Sequence, residues 1–257
     1  MLDFGRYWNG DAICLHRAEI LKLNAENARL FRRAYDYLHI AKEGMDLYER
    51  YIVESDALDI SGLNEQTEAV MADVLNSETE PTRRASTRLF ASAISPEGLV
   101  HHLDSLVSGV RRVYLVLGTP GTGRTTLIRK VAEKAESRGH MVEYYHCALD
   151  PSKIDHAAIP ELGVMLVNCA WPHSIMPGIG NTVVDNQRYL RTERLAHLQG
   201  ELAEAETIYR QALNNALSFI SRAKKVHDDL ERIYSKHMNF DQIEELRKTL
   251  LAQILQP

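Results

Sequence analysis

The feature that most constrains this chain is a glycine-rich stretch, GTPGTGRTTL, at residues 118–127. It follows a short apolar and β-branched run, VYLVLG at 113–118, which is typical of a strand buried in a parallel sheet. Apolar residues at helical spacing then run from Thr125 to Ser137 and stop near Gly139. Glycines allow a tight turn that points backbone N–H groups and a helix N-terminus at an anion. The strand, loop and helix together predict a phosphate-binding loop.

The stretch fits the pattern G-x-x-x-x-G-K-[ST] at Gly118, Gly123 and Thr125, but Arg124 stands where the pattern has lysine. Arginine binds phosphate through a planar fork rather than a compact point charge, so the difference bears on catalysis more than on binding. Thr125 is placed to offer its hydroxyl to Mg²⁺ as the metal ligand. The expected nucleotide-binding residues are Gly118, Thr119, Pro120, Gly121, Thr122, Gly123, Arg124, Thr125 and Thr126.

Two further apolar runs, MVEYYHC at 141–147 and GVMLVNC at 163–169, predict strands after this helix. Strand, helix and strand in that order form a parallel unit, and ligands bind beyond the carboxyl ends of its strands. We therefore expect an α/β fold with a parallel sheet of the P-loop NTPase type, flanked by long helical hairpins. Ser95, followed by Pro96 and Glu97, predicts the start of a helix with Leu99, Leu103 and Leu106 on its apolar face.

The polar stretches HCALDPSKID at 146–155 and NCAWPH at 168–173 are expected at the same rim as the loop. Asn168 ends a strand where an aspartate usually helps to hold Mg²⁺, and Asp150, Asp155 and Glu161 are alternative acids. Asp155 and His156 are candidate catalytic residues that would orient a substrate or water as acid and base. Loop solvation or turn capping is the more common explanation for such acids. The histidines and cysteines nearby fit no recognised zinc spacing.

Helical periodicity dominates both ends of the chain. Apolar residues in steps of three and four from Leu195 to Ile233 predict one long helix, and the same pattern runs from Ile13 to Tyr51. A shorter helix follows each long one. The predicted buried face is Leu63, Val70 and Val74 in the first short helix and Phe240, Ile243, Leu246, Leu250 and Ile254 in the second.

The two helical segments are copies of each other. Arg6 and Tyr7 correspond to Arg188 and Tyr189, 182 positions later. The same offset relates Asp46, Glu49 and Arg50 to Asp228, Glu231 and Arg232. A repeat of this length indicates a duplicated unit. We expect a helical hairpin at 1–78, the α/β domain at 79–186, and a second hairpin at 187–257 that packs on the α/β domain.

With the loop, HCALDPSKIDHAAIPELGVML, LFASAISPEGLVHHLDSLVSGV and the helical tail, the chain resembles an uncharacterised family of duplicated, nucleotide-kinase-like P-loop ATPases of spore-forming bacteria. The resemblance implies two tandem modules, each an α/β unit followed by a hairpin. Residues 1–78 then look like the tail of a first module whose α/β part is absent. The resemblance implies ATP and Mg²⁺ as ligands. The family has lysine where Arg124 stands, and its first module has an acid where Asn168 stands.

Composition narrows the class of protein. No stretch has the unbroken apolar length that spans a bilayer, and the first residues lack the order of a signal peptide. Three widely spaced cysteines suit reduced thiols, so we expect a cytoplasmic protein. The formal net charge of −5 argues against nucleic acid as a partner.

The expected function is binding of a magnesium nucleotide, ATP in the first instance, with weak or absent hydrolysis. A small-molecule kinase that holds its acceptor with Asp150, Asp155 and His156 is one alternative. The other is a non-catalytic, nucleotide-regulated protein whose hairpins self-associate or bind a protein partner.

Overall fold

The structure is a computed structural model that describes residues 3–169 and 181–255. It is an α/β structure with long helices and a mostly parallel, mixed sheet. By compactness the chain divides into a helical unit, Met1–Asp36 with Ala216–Pro257, and an α/β unit, Tyr37–Asn215. The domain boundaries expected at 78 and 186 stay predictions.

Long helices lie toward both ends of the chain, and the strands lie between them. The helices described are α1 (Gly10–Leu15), α2 (Arg17–Glu54), α3 (Ile60–Val74), α4 (Leu103–Val107), α5 (Arg124–Ser137), α6 (Gln199–Ser235) and α7 (Phe240–Ile254). The strands described are β1 (Thr87–Phe90), β2 (Ser92–Ser95), β3 (Gly98–His101), β4 (Arg112–Leu117), β5 (Glu143–His146), β6 (Ile154–Ile159), β7 (Val164–Asn168) and β8 (Asn181–Asp185).

The main sheet has the order β1-β5-β6-β7-β4-β8 within the described residues. β4 pairs in parallel with both β7 and β8, and β6 runs antiparallel between β5 and β7. Alternate residues of β4 are buried on opposite faces of the sheet. Tyr114 packs with α5 and α3, whereas Leu115 packs with Leu103 of α4. The strands predicted at 113–118, 141–147 and 163–169 and the helix that follows the loop are confirmed.

The prediction of a purely parallel sheet was wrong at β6. The stretch expected to form only a rim loop continues into this antiparallel strand, so Asp155 and His156 lie on a strand. All six residues from Ile154 to Ile159 are buried, and two of them are polar. A strand that is buried on both faces is recognised in a sequence by a continuous apolar run, and these two polar residues interrupt that run. The strands β1 and β8 were not predicted either.

The helix expected at Ser95 was also wrong, because this segment is the turn of the β2–β3 hairpin. The Ser95 hydroxyl oxygen accepts the N–H of Glu97 at 3.2 Å, and Gly98 closes the turn at φ +117°. The serine therefore stabilises a turn with the hydrogen bond that it would make at a helix start. The helix of this region, α4, begins at Leu103.

The two long helices are confirmed as α2 and α6, and small residues of the predicted seam, such as Ala41 and Ala205, are completely buried. Within the α/β unit the two helices touch at Gly44. A Cβ atom added there would lie 2.8 Å from the backbone nitrogen of Tyr209. Only glycine therefore allows this approach of the two backbones.

The sequence repeat has a counterpart in backbone hydrogen bonds. In each unit, the segment before a long helix forms a bridge with the turn between the helices of the other copy. The bonds, each 2.9 Å long, are Asn9 N–H to His237 O and Asn239 N–H to Tyr7 O in the helical unit, and Arg191 N–H to Ala57 O and Asp59 N–H to Tyr189 O in the α/β unit. The residues before the long helices keep the offset of 182, whereas their partners in the turns are 180 positions apart, so the same pair of bonds forms in both units.

The short helices of the two copies differ in burial. In α3, Val70 and Val74 are buried against α5 as expected. In α7 no residue that the structure describes is buried, and Phe240 and Ile254 are exposed. The predicted buried face of α7 was therefore wrong, because apolar periodicity shows which side chains share a face and not whether another element covers them.

Glu161 binds two segments that lead into the sheet, one at Thr82 before β1 and one at His140 and Met141 before β5. Its carboxylate accepts hydrogen bonds from the Thr82 hydroxyl and the Met141 N–H, and His140 Nδ1 lies 2.8 Å away. Burial by itself would raise the pKa of Glu161, but these hydrogen bonds outweigh it and lower the pKa to about 2. Folding therefore favours the ionised carboxylate.

We predict that Gly44→Ala destabilises the protein by about 1 to 2 kcal/mol, since the added methyl group overpacks the helix contact by more than the gain in helix propensity. Gly200→Ala is the control, because nothing lies within 4 Å of a Cβ at this helical position. Urea unfolding of both variants measures the difference. Equal stability of the two would contradict the close approach at Gly44.

We predict that Glu161→Gln lowers the free energy of unfolding at neutral pH by about 2 kcal/mol. In the unaltered protein this contribution is present above the unfolded pKa of about 4.5 and is lost as the pH falls toward about 2. The variant should lack that part of the pH dependence. Glu133→Gln, at an exposed position of α5, is the control. A Glu161→Gln curve parallel to the original down to pH 2 would refute this assignment.

Candidate functional site

The candidate site starts from the glycine-rich loop between β4 and α5. Gly118, Gly121 and Gly123 have φ values of 141°, 84° and 80°, in the left-handed region that favours glycine. The N–H of Leu127 reaches the carbonyl of Gly123 at 2.9 Å, so the helix starts directly after the loop. The N–H groups of the first turn of α5 have no acceptor within the helix. The loop and the first turn of α5 together can therefore bind an anion.

Residues that follow β8 fix the conformation of the loop. The Asn186 side chain is completely buried and donates to the carbonyl of Thr122 at 2.9 Å. Gln187 Oε1 accepts the N–H of Thr119 at 2.9 Å. Sequence reasoning missed both residues, because nothing in their local pattern marks them as partners of a loop more than sixty positions away.

Helix α2 lies against the outside of the loop. A Cβ at Gly121 would lie 3.0 Å from Cβ of Ile52 and 3.3 Å from Cα of Glu49. Gly121 is therefore needed for space as well as for its backbone conformation. The helix limits how far the loop can open on that side.

Arg124 points toward the end of β7. Its Nη1 donates to Asn168 Oδ1 at 2.5 Å, and Asn168 Nδ2 donates to Asp155 Oδ1 at 3.0 Å. Asn168 and Asp155 are 6% and 4% exposed. Burial lowers the pKa of Arg124, and the charges of Asp155 and Glu49 oppose this effect. The three side chains form a chain of hydrogen bonds across α5, β7 and β6.

His156, the other candidate catalytic residue, is also buried at this place. Its Nδ1 accepts the backbone N–H of Asn168 at 3.2 Å. This bond ties β6 to the last residue of β7. The structure therefore brings both Asp155 and His156 to Asn168, although it places them on a strand rather than on a loop.

A cavity of about 120 Å³ opens beside Arg124 in the α/β unit. Its walls come from α2, α6, the β2–β3 hairpin and the connection between β5 and β6. The polar residues that line it include Glu49, Arg124, Thr125, Asp155, Asn168 and Tyr209. Thr125 thus faces the same space as Arg124, whereas Thr126 is exposed.

Ion pairs join α2 to the connection between β5 and β6. Lys153 Nζ lies 2.8 Å from Glu49 and 3.4 Å from Asp46, and Lys42 lies 3.7 Å from Asp150. Burial opposes ionisation of Asp150, but hydrogen bonds from Ser152 and the nearby lysines lower its pKa. Asp150 therefore stabilises its own turn.

One further sequence candidate, Glu161, does not form part of the site. Glu161 lies in the turn between β6 and β7, at the opposite edge of the sheet from Asn168, so its placement on the rim was wrong. Cys147 lines the cavity, but burial raises the pKa of its thiol to about 12, which keeps it protonated. In the described parts of the chain no group of three metal-ligating side chains occurs. Residues 170–173 of the NCAWPH stretch lie outside the described residues.

No family model, curated protein or solved structure matches this chain. Among the described residues, no helix is both long enough and apolar enough to cross a membrane. Functional reasoning therefore starts from the loop, the cavity and the side chains between them.

Proposed function

We propose that this protein binds a magnesium nucleotide, with ATP as the first candidate, at residues 118–126, and that its α/β unit is of the P-loop NTPase type. The observation that carries the proposal is the loop itself. Three glycines in the left-handed region connect a buried parallel strand directly to the first turn of a helix. That arrangement suits phosphate, because backbone N–H groups and the helix dipole both favour an anion there.

Contacts within the protein hold the loop. Asn186 donates a hydrogen bond to the loop, Gln187 accepts one from it, and α2 packs against it at Gly121. A binding site that is already ordered loses less conformational entropy when its ligand binds. These contacts therefore favour nucleotide affinity.

The residues at the cavity fit a magnesium ion. Mg²⁺ takes oxygen ligands and keeps several waters, so one or two protein groups and the substrate phosphates suffice. Thr125 and Asp155, which carry a hydroxyl and a carboxylate, line the same cavity. When bound, the ion neutralises charge on the phosphates.

The phosphate-handling residues favour binding over rapid hydrolysis. Arg124 retains a positive charge, but its guanidinium contacts Asn168, and Asn168 lends no charge of its own. The cavity beside Thr125 favours a second candidate function, a small-molecule phosphotransferase. Phosphoryl transfer depends mainly on positioning and charge, and the cavity offers space for an acceptor.

We predict that the protein gains about 2.7 kcal/mol in stability when Mg-ATP is present at a hundredfold excess over its dissociation constant. Thermal unfolding with ATP, ADP, GTP and GDP, each with Mg²⁺, measures this gain. Arg124→Ala should lose most of it, whereas Arg129→Ala, an exposed arginine of the same helix, should keep it. Each variant is compared with its own unfolding curve without nucleotide.

Absence of a shift with all four nucleotides would rule out the proposed function. If nucleotide stabilises Arg124→Ala and Arg129→Ala equally, the protein binds nucleotide but Arg124 does not contribute to the binding.

A further inference from the structure

The end of β7 presents a neutral amide, Asn168, where a magnesium nucleotide needs negative charge. A buried carboxylate lies one strand away, since β6 runs antiparallel to β7 and pairs His156 with Val167. Asp155, the preceding residue, therefore reaches the same edge of the sheet. Asn168 Nδ2 joins the two side chains through its 3.0 Å hydrogen bond to Asp155 Oδ1.

The amide of Asn168 is oriented by both neighbours. Its oxygen accepts from Arg124 and its nitrogen donates to Asp155, so each end meets the group that it fits. An aspartate at 168 would instead place two carboxylates against each other. Asn168 and Asp155 thus form a hydrogen-bonded pair in which the carboxylate belongs to Asp155 on β6.

The other candidate acids are committed elsewhere. Asp150 accepts hydrogen bonds from the N–H and the hydroxyl of Ser152, at 3.1 and 2.7 Å. Glu161 binds Thr82 and His140 at the far edge of the sheet. Of the three acids that the sequence offered, Asp155 alone lies beside both Asn168 and the cavity that Thr125 lines.

We propose that Asp155 supplies, from β6, the carboxylate that holds the magnesium ion of the bound nucleotide together with Thr125, and that Asn168 positions this carboxylate. The inference rests on the proposed function. A carboxylate buried at this place needs a cation. Arg124 provides one in the structure, and the ion provides another once the nucleotide is bound.

The test compares the nucleotide affinity of each variant with Mg²⁺ and with EDTA, using a fluorescent ATP analogue as the probe. We expect Mg²⁺ to tighten binding by the unaltered protein, and Asp155→Asn to lose about tenfold or more of that enhancement while keeping its affinity in EDTA. The control Glu133→Gln, at an exposed position of α5, should keep the enhancement. The exchanged variant Asp155→Asn with Asn168→Asp restores a carboxylate beside an amide and should recover it.

The outcomes separate the two proposals. If the unaltered protein binds the probe under neither condition, the proposed function fails. If it binds with a magnesium enhancement that Asp155→Asn retains, only the assignment of Asp155 is overturned. Loss in Asp155→Asn without recovery in the exchanged variant also overturns it, since the loss is then structural.

A second variant decides the matter if Asp155→Asn does not fold. Asp155→Cys places a soft thiolate ligand at the same position, and thiolates favour Cd²⁺ over Mg²⁺. We expect this variant to bind the nucleotide analogue about tenfold more tightly with Cd²⁺ than with Mg²⁺, relative to the unaltered protein. An unchanged preference between the two ions would overturn the assignment.

Discussion

The part-buried contact of Arg124 with Asn168 is the interaction on which the candidate site depends. A guanidinium that is removed from water needs both hydrogen-bond acceptors and negative charge nearby. Asn168 gives the first at 2.5 Å, and Asp155 gives the second from the neighbouring strand. These contacts join the start of α5 to the ends of two strands. They therefore set the position of the glycine-rich loop relative to the cavity.

Helix α2 and the β2–β3 hairpin enclose this contact at the end of the sheet. Helix α2 reaches the loop at Ile52 and carries Glu49 to Lys153, so one helix both supports the loop and closes the cavity. The β2–β3 hairpin adds apolar side chains to the same cavity, including Ile94 and Leu99. A partly enclosed space beside the loop strengthens electrostatic interactions inside it, because less water screens them. This arrangement suits a site that recognises charge.

Local signals predicted the parts of the fold that local residues determine. The strand β4, the glycine turn and α5 follow each other directly, and the apolar spacing of α2 and α6 persists over many turns. β6 was missed because Asp155 and His156 are polar residues in a buried strand. Their partners lie in β7 and could not be seen from neighbouring positions. The predicted face of α7, which is only half-buried or exposed, shows the same limit, since burial depends on what packs against a helix.

The candidate site was predictable to a similar extent. The glycines, Arg124 and Thr125 could be named from spacing alone, whereas the anchors of the loop could not. Asn186 donates to Thr122 and accepts a hydrogen bond from Gln66, which lies 120 positions before Asn186 in the chain. The roles of Asp150, Asp155 and Glu161 could be separated only once the strand ends were placed. Contacts between distant segments therefore decide which acid lies beside Asn168.

The most direct test of the account is a crystal structure with Mg²⁺ and a non-hydrolysable ATP analogue. The account predicts that the phosphates lie against the backbone N–H groups of residues 121–125, with the ion between Thr125 and Asp155. A nucleotide bound elsewhere, or an ion that contacts neither residue, would contradict it.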